Sequence, residues 1–291
     1  MKNRKILLVL GEIGAALLAL FYISPLILIF INMGKKNVDI VTDPLALPEN
    51  WGEILTNIKR VVTDRAVGYG SAFVSSAIIT VCSLICIVLF ASMAAWVIVR
   101  SKSKFSTFLY YVFVAMMIVP FQCIMYPLVS WFRTMSVNFT NPIFGFNLLR
   151  SYPGIIFAYT GFGMSMAVFM FCGFIKGIPY EIEEAATIDG CSKFQIYTRI
   201  ILPMLKPIIV TVMILDSIWL WNDYLLPLLI LGKGNAIQTL PLAVSNFAGA
   251  YFKEWELILT SAFLAILPVL IFFLIAQKQI IAGMTEGAVK S

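Results

Sequence analysis

The sequence predicts an all-α polytopic membrane protein with six transmembrane helices. Of its 291 residues, 60% are hydrophobic and 12% are charged, and the mean hydropathy is +0.93. Soluble domains average about 25% charged residues. The apolar runs are continuous, whereas the strands of a membrane barrel alternate apolar and polar positions, so a barrel is excluded. Six runs reach the roughly 20 apolar residues that a helix needs to span the hydrocarbon core.

These runs predict a single transmembrane domain over residues 1–291. The first run follows Lys2, Arg4 and Lys5, an arrangement that is typical of a signal peptide. It is too long for a signal-peptide core, and no A-x-A-like cleavage site follows it, so we expect an uncleaved first helix. Pro120 and Gln122 are predicted to break the third run at mid-membrane. The six predicted spans cover about 6–31, 70–99, 106–132, 152–175, 204–231 and 256–280.

The basic residues orient the spans. Lysine and arginine collect in the cytoplasmic loops of membrane proteins. With six spans, the basic N-terminus, the basic loop at 100–104 and the basic connection at 176–206 all fall on one side. We therefore expect a bacterial-type inner membrane protein with both termini in the cytoplasm. The loop at 32–69 is then outside.

A short amphipathic helix is predicted in the outer loop. Trp51, Ile54, Leu55 and Ile58 recur at helical spacing, with Asn50 as the N-cap. A helix packed on the rim of the bundle is favoured over a docking surface.

The composition also argues against several kinds of site. The chain has no histidine, which excludes histidine-based acid–base catalysis and histidine metal ligands. No CxxC pair occurs and most of the cysteines lie in apolar runs, so neither a zinc site nor a disulfide framework is predicted. No basic patch is interleaved with exposed aromatics, so we expect no nucleic-acid partner. The cysteines are Cys82, Cys86, Cys123, Cys172 and Cys191.

The polar connection at 176–203 stands out in this apolar chain. Pro179 fits the first turn of a helix, and the acidic residues after it are favoured by the helix dipole. Gly190 then predicts the end of that helix. Ser192 and Gln195 form a capping box that starts a second helix. The connection is therefore predicted to be two helices joined at a glycine and exposed to water. On composition alone, a functional segment and a simple connector between two spans are equally consistent with it.

Separated elements of this connection occur at characteristic spacings. Residues 184–203 contain an acidic residue with two alanines, then a glycine after three intervening residues, and an Ile-x-Leu-Pro ending. This pattern resembles the EAA motif of ABC importer permeases. The resemblance implies a coupling loop between helices 4 and 5, which sits in a cleft of a cytoplasmic ATPase and passes on its closing motion. The implied ATPase-coupling residues are Glu184, Ala185, Ala186, Asp189, Gly190, Ile200, Leu202 and Pro203.

The sequence contains no GxxxxGK[ST] phosphate-binding loop. The nearest fragment, at 232–234, lacks the spacing and is interpreted as a turn. We therefore do not expect this chain to bind ATP through such a loop. The chain is predicted to be a pore-forming subunit without catalytic residues, metal or cofactor, with ATP and Mg²⁺ held by separate ATPase subunits.

Two further stretches narrow the resemblance. The run at 221–228, WNDYLLPL, is similar to the fifth helix of carbohydrate importers of the maltose-permease type. The ending of this chain resembles the C-terminal signature of their MalG-like subunit. In that subunit the tail can reach the ATPase pair. The resemblance implies a second homologous permease, two ATPase subunits and an extracellular solute-binding protein as partners. The matching tail residues are Gly287, Ala288, Val289 and Lys290.

Polar and aromatic residues in two apolar runs are candidates for a substrate pathway. An aspartate at mid-membrane costs about 2.5–3.5 kcal/mol, so Asp216 and Asp223 should face a polar cavity or a partner. The seven-residue spacing places both on one helix face with Trp219, and Asn222 flanks them. Tyr159 lies in the preceding run. Carboxylates and amides bind sugar hydroxyls and aromatic faces stack on sugar rings. Structural roles compete: tying the helix to a neighbour for Asp223 and Asn222, and packing for Asp216 and Tyr159.

The function that these features predict is import of a carbohydrate, in particular an oligosaccharide. A polyol or a glycerol phosphate is an alternative cargo, although a phosphate calls for an arginine or lysine in the pathway and none lies in the middle of any apolar run. An ion-coupled secondary carrier would use Asp216 and Asp223 as ion sites, but inverted halves are not visible. A non-transporting membrane scaffold is a third alternative.

Overall fold

In the computed structural model of the chain, the described residues are 2–64, 68–138, 148–247 and 254–288. They form helices and turns without a strand, which confirms the all-α prediction. Four of their helices are long and apolar enough to cross a membrane, and the number rises to six if each of two bent helix pairs is one span.

The helices run in chain order from α1 to α14. The first six are α1 Lys2–Asn32, α2 Asn37–Thr42, α3 Glu53–Thr63, α4 Tyr69–Ser101, α5 Lys104–Ile118 and α6 Phe121–Asn138. The middle of the chain holds α7 Tyr152–Ile175, α8 Glu181–Ile188, α9 Lys193–Ile196, a π-helical turn Tyr197–Ile201 and α10 Leu202–Met204. The rest are α11 Lys206–Asn222, α12 Leu225–Ile230, α13 Leu240–Val244, a 3₁₀ turn Ser245–Phe247 and α14 Trp255–Ala288.

The chain divides into two compact units. The first comprises residues 1–70 and 243–268, and the second comprises 71–242 and 269–291. The assignment of the whole chain to one transmembrane domain stays a prediction.

In the first unit, α3 differs from the amphipathic helix that the sequence predicts. It begins at Glu53 with Gly52 as its N-cap. Asn50 is therefore not the N-cap; its side-chain oxygen accepts a hydrogen bond from the Gly52 backbone N–H (2.9 Å) in the turn before the helix.

The buried face of α3 also differs from the predicted one. Trp51 and Leu55 are exposed, while Asn57 and Val61 are buried. The amide of Asn57 donates to the Met33 carbonyl oxygen (2.9 Å), so a polar residue occupies the inner face because its hydrogen bond is satisfied there. A pattern of apolar residues alone does not reveal such a position.

The second unit is built around α7. Helix α7 packs against α5, α11 and α12. Small side chains let transmembrane helices approach closely. Gly163 on α7 illustrates this, because a Cβ atom added there would lie 2.4 Å from Cδ1 of Ile87 on α4.

Proline breaks the third apolar run as the sequence predicts. Helix α5 ends before Val119, whose extended backbone (φ −72°, ψ 117°) is the conformation favoured before a proline. Helix α6 starts directly after Pro120, and the two helices are bent by 108°. Pro120 has no backbone N–H to continue the helical ladder, which explains the position of the break.

Candidate functional site

The polar connection folds as a sharp elbow between α8 and α9. Gly190 has φ +80°, a left-handed conformation that favours glycine. Its backbone N–H bonds the Thr187 carbonyl (3.1 Å), and the Cys191 N–H bonds the Ala186 carbonyl (3.0 Å). This pair of bonds is the Schellman arrangement that ends a helix. The predicted helix end at Gly190 is confirmed.

The second arm of the elbow begins at the predicted capping box. The Gln195 N–H bonds the Ser192 side chain (3.3 Å), and the Ser192 N–H bonds the Gln195 side-chain oxygen (2.8 Å). Pro179 is placed differently from the prediction. Because α8 begins at Glu181 after the N-cap Tyr180, this proline precedes the helix and is not in its first turn.

The second arm continues into the membrane helix α11 through two irregular features. A π-helical turn covers Tyr197–Ile201 directly before Pro203. A proline clashes with the carbonyl four residues earlier, and a widened turn relieves that clash. Beyond Leu205, the chain bends by 72° into α11. The π-helical turn overlaps the Ile-x-Leu-Pro part of the motif, and the bend follows two residues after its proline.

The outward side of the elbow is apolar with an acidic edge. Ile188 is 86% exposed and Phe194 is 69% exposed, and Glu184 and Ala185 are exposed on the same helix as Ile188. We call these four residues the elbow surface. Large exposed apolar side chains beside a charged rim are typical of a protein–protein contact. Two of the four, Glu184 and Ala185, are motif residues. The remaining motif residues are exposed (Asp189, Gly190 and Pro203), half-buried (Ile200 and Leu202) or buried (Ala186).

The inward side of the elbow holds a residue whose partners the sequence does not reveal. Glu183 is buried, and its carboxylate accepts a hydrogen bond from Arg100 Nε (2.7 Å) and another from Trp96 Nε1 (3.0 Å). From the sequence, Glu183 is only an acidic residue in a first helical turn. The signal that points to these partners is the four-residue spacing of Ser92, Trp96 and Arg100, which puts them on one face of α4.

Three of the candidate pathway residues come together in the second unit. The Tyr159 hydroxyl donates to Asp223 Oδ2 (3.1 Å). The rings of Tyr159 and Trp219 meet edge to face, with centroids 5.5 Å apart. The fourth candidate, Asn222, is exposed and donates to the Ile218 carbonyl of its own helix (2.8 Å).

The prediction that Asp216 and Asp223 share one helix face is wrong. Helix α11 ends at Asn222, and Asp223 has an extended backbone (φ −72°, ψ 131°). Its Oδ1 accepts the Leu225 backbone N–H (3.0 Å) in an Asx turn that leads into α12, whose N-cap is Tyr224. The seven-residue spacing between Asp216 and Asp223 places two side chains on one face only within a continuous helix, and α11 ends before Asp223.

Asp216 is packed between helices. It is 2% exposed, and among the described residues its Oδ2 has no hydrogen-bond partner. A Cβ atom added to Gly163 would lie 3.7 Å from this oxygen. This buried position is consistent with a structural role for Asp216, which is the alternative to a role in the substrate pathway.

Gly163→Ala is expected to destabilise the protein by about 1–3 kcal/mol, the usual cost of overpacking a filled core. The added methyl would overlap Cδ1 of the fully buried Ile87. The measurement is thermal denaturation of the detergent-solubilised protein. Adding Ile87→Val removes that methyl group and should restore most of the stability.

Gly173→Ala is the matched control on the same helix, because nothing lies within 4 Å of its added methyl. Its denaturation temperature should equal or exceed that of the wild type. Equal loss of stability in both alanine variants would contradict close packing at Gly163.

The tail lies mostly beyond what the structure describes. Gly287 and Ala288 are at the end of α14, whereas Val289 and Lys290 are outside the described residues. Among the residues that are described, no group of three or more histidine, cysteine, aspartate or glutamate side chains is arranged to hold a metal ion.

The chain is similar to known permeases along nearly its whole length. It is 41% identical to the "Probable starch degradation products transport system permease protein AmyC" of Thermoanaerobacterium thermosulfurigenes, over 94% of this chain and 93% of that protein. It is 36% identical to the multiple sugar-binding transport system permease protein MsmG of Streptococcus mutans, over 91% of both. With the melibiose/raffinose/stachyose import permease protein MelC of Bacillus subtilis, the identity is 33% over 76% of both.

A solved structure shares the fold. A chain of a bacterial ABC transporter involved in the import of the acidic polysaccharide alginate superposes with a TM-score of 0.74 at 19% identity, over 96% of this chain and 98% of that one. Residues 87–285 match the family described as binding-protein-dependent transport system inner membrane component. This chain is therefore a multi-pass membrane protein that belongs to the family of binding-protein-dependent transport system inner membrane components.

Proposed function

We propose that this chain is the membrane-spanning permease subunit of an ATP-driven importer for an oligosaccharide that a solute-binding protein delivers. The observation that carries the proposal is the elbow, on which the exposed apolar side chains of Ile188 and Phe194 stand among the residues of the coupling motif. The chain matches a family of transport-system membrane components over residues 87–285, which include the elbow. The names of the similar permeases AmyC, MsmG and MelC specify starch degradation products, multiple sugars and melibiose, raffinose or stachyose. These names support a sugar as cargo.

In this mechanism the elbow transmits work that another protein performs. ATP binding closes a pair of cytoplasmic ATPase subunits, and the elbow surface, seated in a cleft of one of them, moves with it. The membrane helices of this chain and of a second, homologous permease then change from inward-open to outward-open. After hydrolysis the ATPase subunits reopen, the membrane helices return to the inward-open state, and the sugar is released inside the cell. No covalent chemistry is required of this chain.

The charge pattern supports the orientation that this mechanism needs. The basic loop at 100–104 and the basic connection at 176–206 belong on the cytoplasmic side by the positive-inside rule. The elbow therefore faces the ATPase subunits and both termini are cytoplasmic. The tail residues Gly287, Ala288, Val289 and Lys290 can then reach the ATPase pair as a second contact.

The cluster of Tyr159, Trp219 and Asp223 supplies the chemistry for a neutral sugar. Trp219 is 41% exposed, so part of its ring is free to stack on the C–H face of a sugar. The Asp223 carboxylate has further lone pairs for sugar hydroxyls. Asn222, exposed on the last turn of α11, offers an amide beside them.

Purification and vesicle uptake test the proposal. ATPase subunits and the second permease should co-purify with this chain from its host membrane. Uptake of labelled maltotriose or raffinose into vesicles should require ATP and the binding protein. Uptake driven by a proton or sodium gradient without ATP would establish the secondary carrier instead, and a chain that purifies alone without uptake would fit a scaffold.

Glu184→Lys is expected to weaken binding of the ATPase subunits and to lower ATP-driven uptake by about tenfold, the effect of losing roughly 1.4 kcal/mol. The exposed carboxylate is on the elbow surface, where a reversed charge alters the contact without disturbing the core of this chain. Co-purification of the ATPase subunits measures binding. Glu49→Lys, an exposed acidic residue of the outer loop, is the control that should behave as wild type.

A further inference from the structure

Three side chains of α4 hold the inward side of the elbow. Ser92, Trp96 and Arg100 recur every four residues and so form one stripe along the end of α4 that leads into the basic loop. The stripe contacts both arms of the elbow, one before Gly190 and one after it. We call this set of contacts the α4 joint.

The first arm is attached through Glu183. Both of its carboxylate oxygens are bound, Oε1 by Arg100 Nε (2.7 Å) and Oε2 by Trp96 Nε1 (3.0 Å). The ion pair is largely removed from solvent, with side chains 17% and 7% exposed for Arg100 and Glu183. Arg100 also donates to the Ile178 carbonyl (3.0 Å), and its guanidinium lies over the ring of Tyr180, 5.6 Å from the centroid.

The second arm is attached through Tyr197. Its hydroxyl shares a hydrogen bond with the Ser92 hydroxyl (2.7 Å), and its ring contacts the ring of Trp96 with centroids 5.7 Å apart. Tyr197 is buried, as is Ser92. Trp96 therefore touches both arms, and the two arms are held by the same helix face.

The joint fixes the elbow to α4 through a buried ion pair. Charge-assisted hydrogen bonds are the stronger kind, and a buried pair cannot separate without leaving an uncompensated charge. Beyond Tyr197, which is the first residue of the π-helical turn, the chain passes through the rest of that turn and a 72° bend before it enters α11. Irregular turns of this kind often mark hinges.

We propose that Arg100, Glu183 and Trp96 are positioning residues that make α4 and the elbow move as one body, so that the stroke of the ATPase is delivered to α4 directly while α11 follows through a hinge. This proposal rests on the proposed function of the elbow. It assigns the force path to a helix that is distant from the elbow in sequence.

Distance measurements between spin labels in the complete reconstituted transporter test the rigid body. One label pair joins Lys102→Cys, beside the joint, to Lys193→Cys on the elbow; both lysines are exposed. The second pair joins Lys193→Cys to Met213→Cys, which lies on α11 beyond the bend. Both pairs are measured without nucleotide and with ATP and vanadate, on a background without the native cysteines.

The expected result is that the first distance stays unchanged by nucleotide while the second changes. Adding Glu183→Gln, which keeps the size of the side chain and removes its charge, should make the first distance nucleotide-dependent or broaden it. A first distance that changes in the otherwise unaltered transporter overturns the proposal. This readout requires no cargo, so it is independent of whether a sugar is carried.

Coupling between hydrolysis and transport provides the second measurement. With maltotriose or raffinose as the probe, Glu183→Gln and Arg100→Gln should keep ATPase binding and hydrolysis but deliver about tenfold less sugar per ATP. Arg100→Lys should fall between them and the wild type, because lysine keeps the charge without the planar fork. Where a charge variant fails to fold, Trp96→Phe tests the joint: it keeps an aromatic ring, loses the indole N–H and part of the ring area, and should also lower the sugar delivered per ATP.

The outer ion pair is the matched control. Arg60 and Glu254 lie 3.2 Å apart with side chains about half exposed, and exposed pairs of this kind contribute little. Arg60 also pairs with the less exposed Glu256 (3.7 Å), so the control variant is Glu254→Gln, which breaks only the exposed contact and should leave sugar delivered per ATP unchanged. If the joint variants also leave this ratio unchanged, or if they act only by losing the ATPase subunits, the joint has no part in force transmission. Absence of any ATP-driven uptake in the wild type would instead contradict the proposed function.

Discussion

Gly190→Val is expected to lower ATP-driven sugar uptake by at least about tenfold. The backbone at this position has φ +80°, where a β-branched residue is an outlier and an L-residue costs about 1–2 kcal/mol. Relief of that strain changes the angle between α8 and α9 and breaks the hydrogen bond from Cys191 to Ala186. The elbow surface then no longer meets its ATPase cleft as a single unit. Uptake into membrane vesicles, normalised to the amount of this chain, measures the effect.

Gly190→Asn is the matched control for this experiment. Asparagine tolerates the left-handed conformation better than other side chains, so this variant should keep most of the uptake. Nothing lies within 4 Å of a Cβ added at Gly190, so a difference between the two variants reports backbone conformation and not lack of space. Normal uptake by Gly190→Val would show that the bend of the elbow does not matter for coupling.

Asp223→Ala is expected to lower sugar uptake by about tenfold while the ATPase subunits remain bound. The substitution removes the acceptor of the Tyr159 hydroxyl and the side-chain cap of the Leu225 N–H. A buried hydroxyl left without its partner is costly, so the break between α11 and α12 should also lose its defined shape. Uptake at several sugar concentrations and co-purification of the ATPase subunits are the two measurements. Wild-type uptake by this variant would remove Asp223 from the pathway.

Two milder variants separate a pathway role of Asp223 from a structural one. Asp223→Asn keeps a side-chain oxygen for the Leu225 N–H, and Tyr159→Phe removes only the bridging hydroxyl. A direct contact with sugar predicts that Asp223→Asn raises the sugar concentration needed for half-maximal uptake, while Tyr159→Phe has a smaller effect. A purely structural role predicts that Asp223→Asn transports normally.

Features that depend on neighbouring residues in the chain follow from the sequence. Continuous apolar runs predicted long membrane helices, and Pro120 predicted the break between α5 and α6. Gly190 and the pair of Ser192 and Gln195 predicted the end of one elbow helix and the start of the next. Each of these depends on backbone geometry and hydrogen bonds within a few residues, so a short stretch of sequence contains the necessary information.

Features that depend on contacts between residues distant in the chain could not be predicted from the sequence. The helix pattern continues through WNDYLLPL, so the sequence predicted one helix face for Asp216 and Asp223. The structure instead ends α11 at Asn222, after which Asp223 accepts a hydrogen bond from Tyr159 on α7 and forms an Asx turn with Leu225. The shift of the buried face of α3 has the same origin, since the hydrogen bond from Asn57 to Met33 spans 24 positions.

The adjacent residues Glu183 and Glu184 mark the boundary between the two kinds of information. The amino-acid sequence is sufficient to predict a polytopic helical membrane protein with a polar helix–glycine–helix elbow, because hydrophobic length and helix capping depend on residues that are close in the chain. The folded structure is needed to show that Glu183 faces Arg100 and Trp96 while Glu184 faces outward. Helical periodicity separates the two side chains by about 100°, but the position of α4 selects which of them is buried.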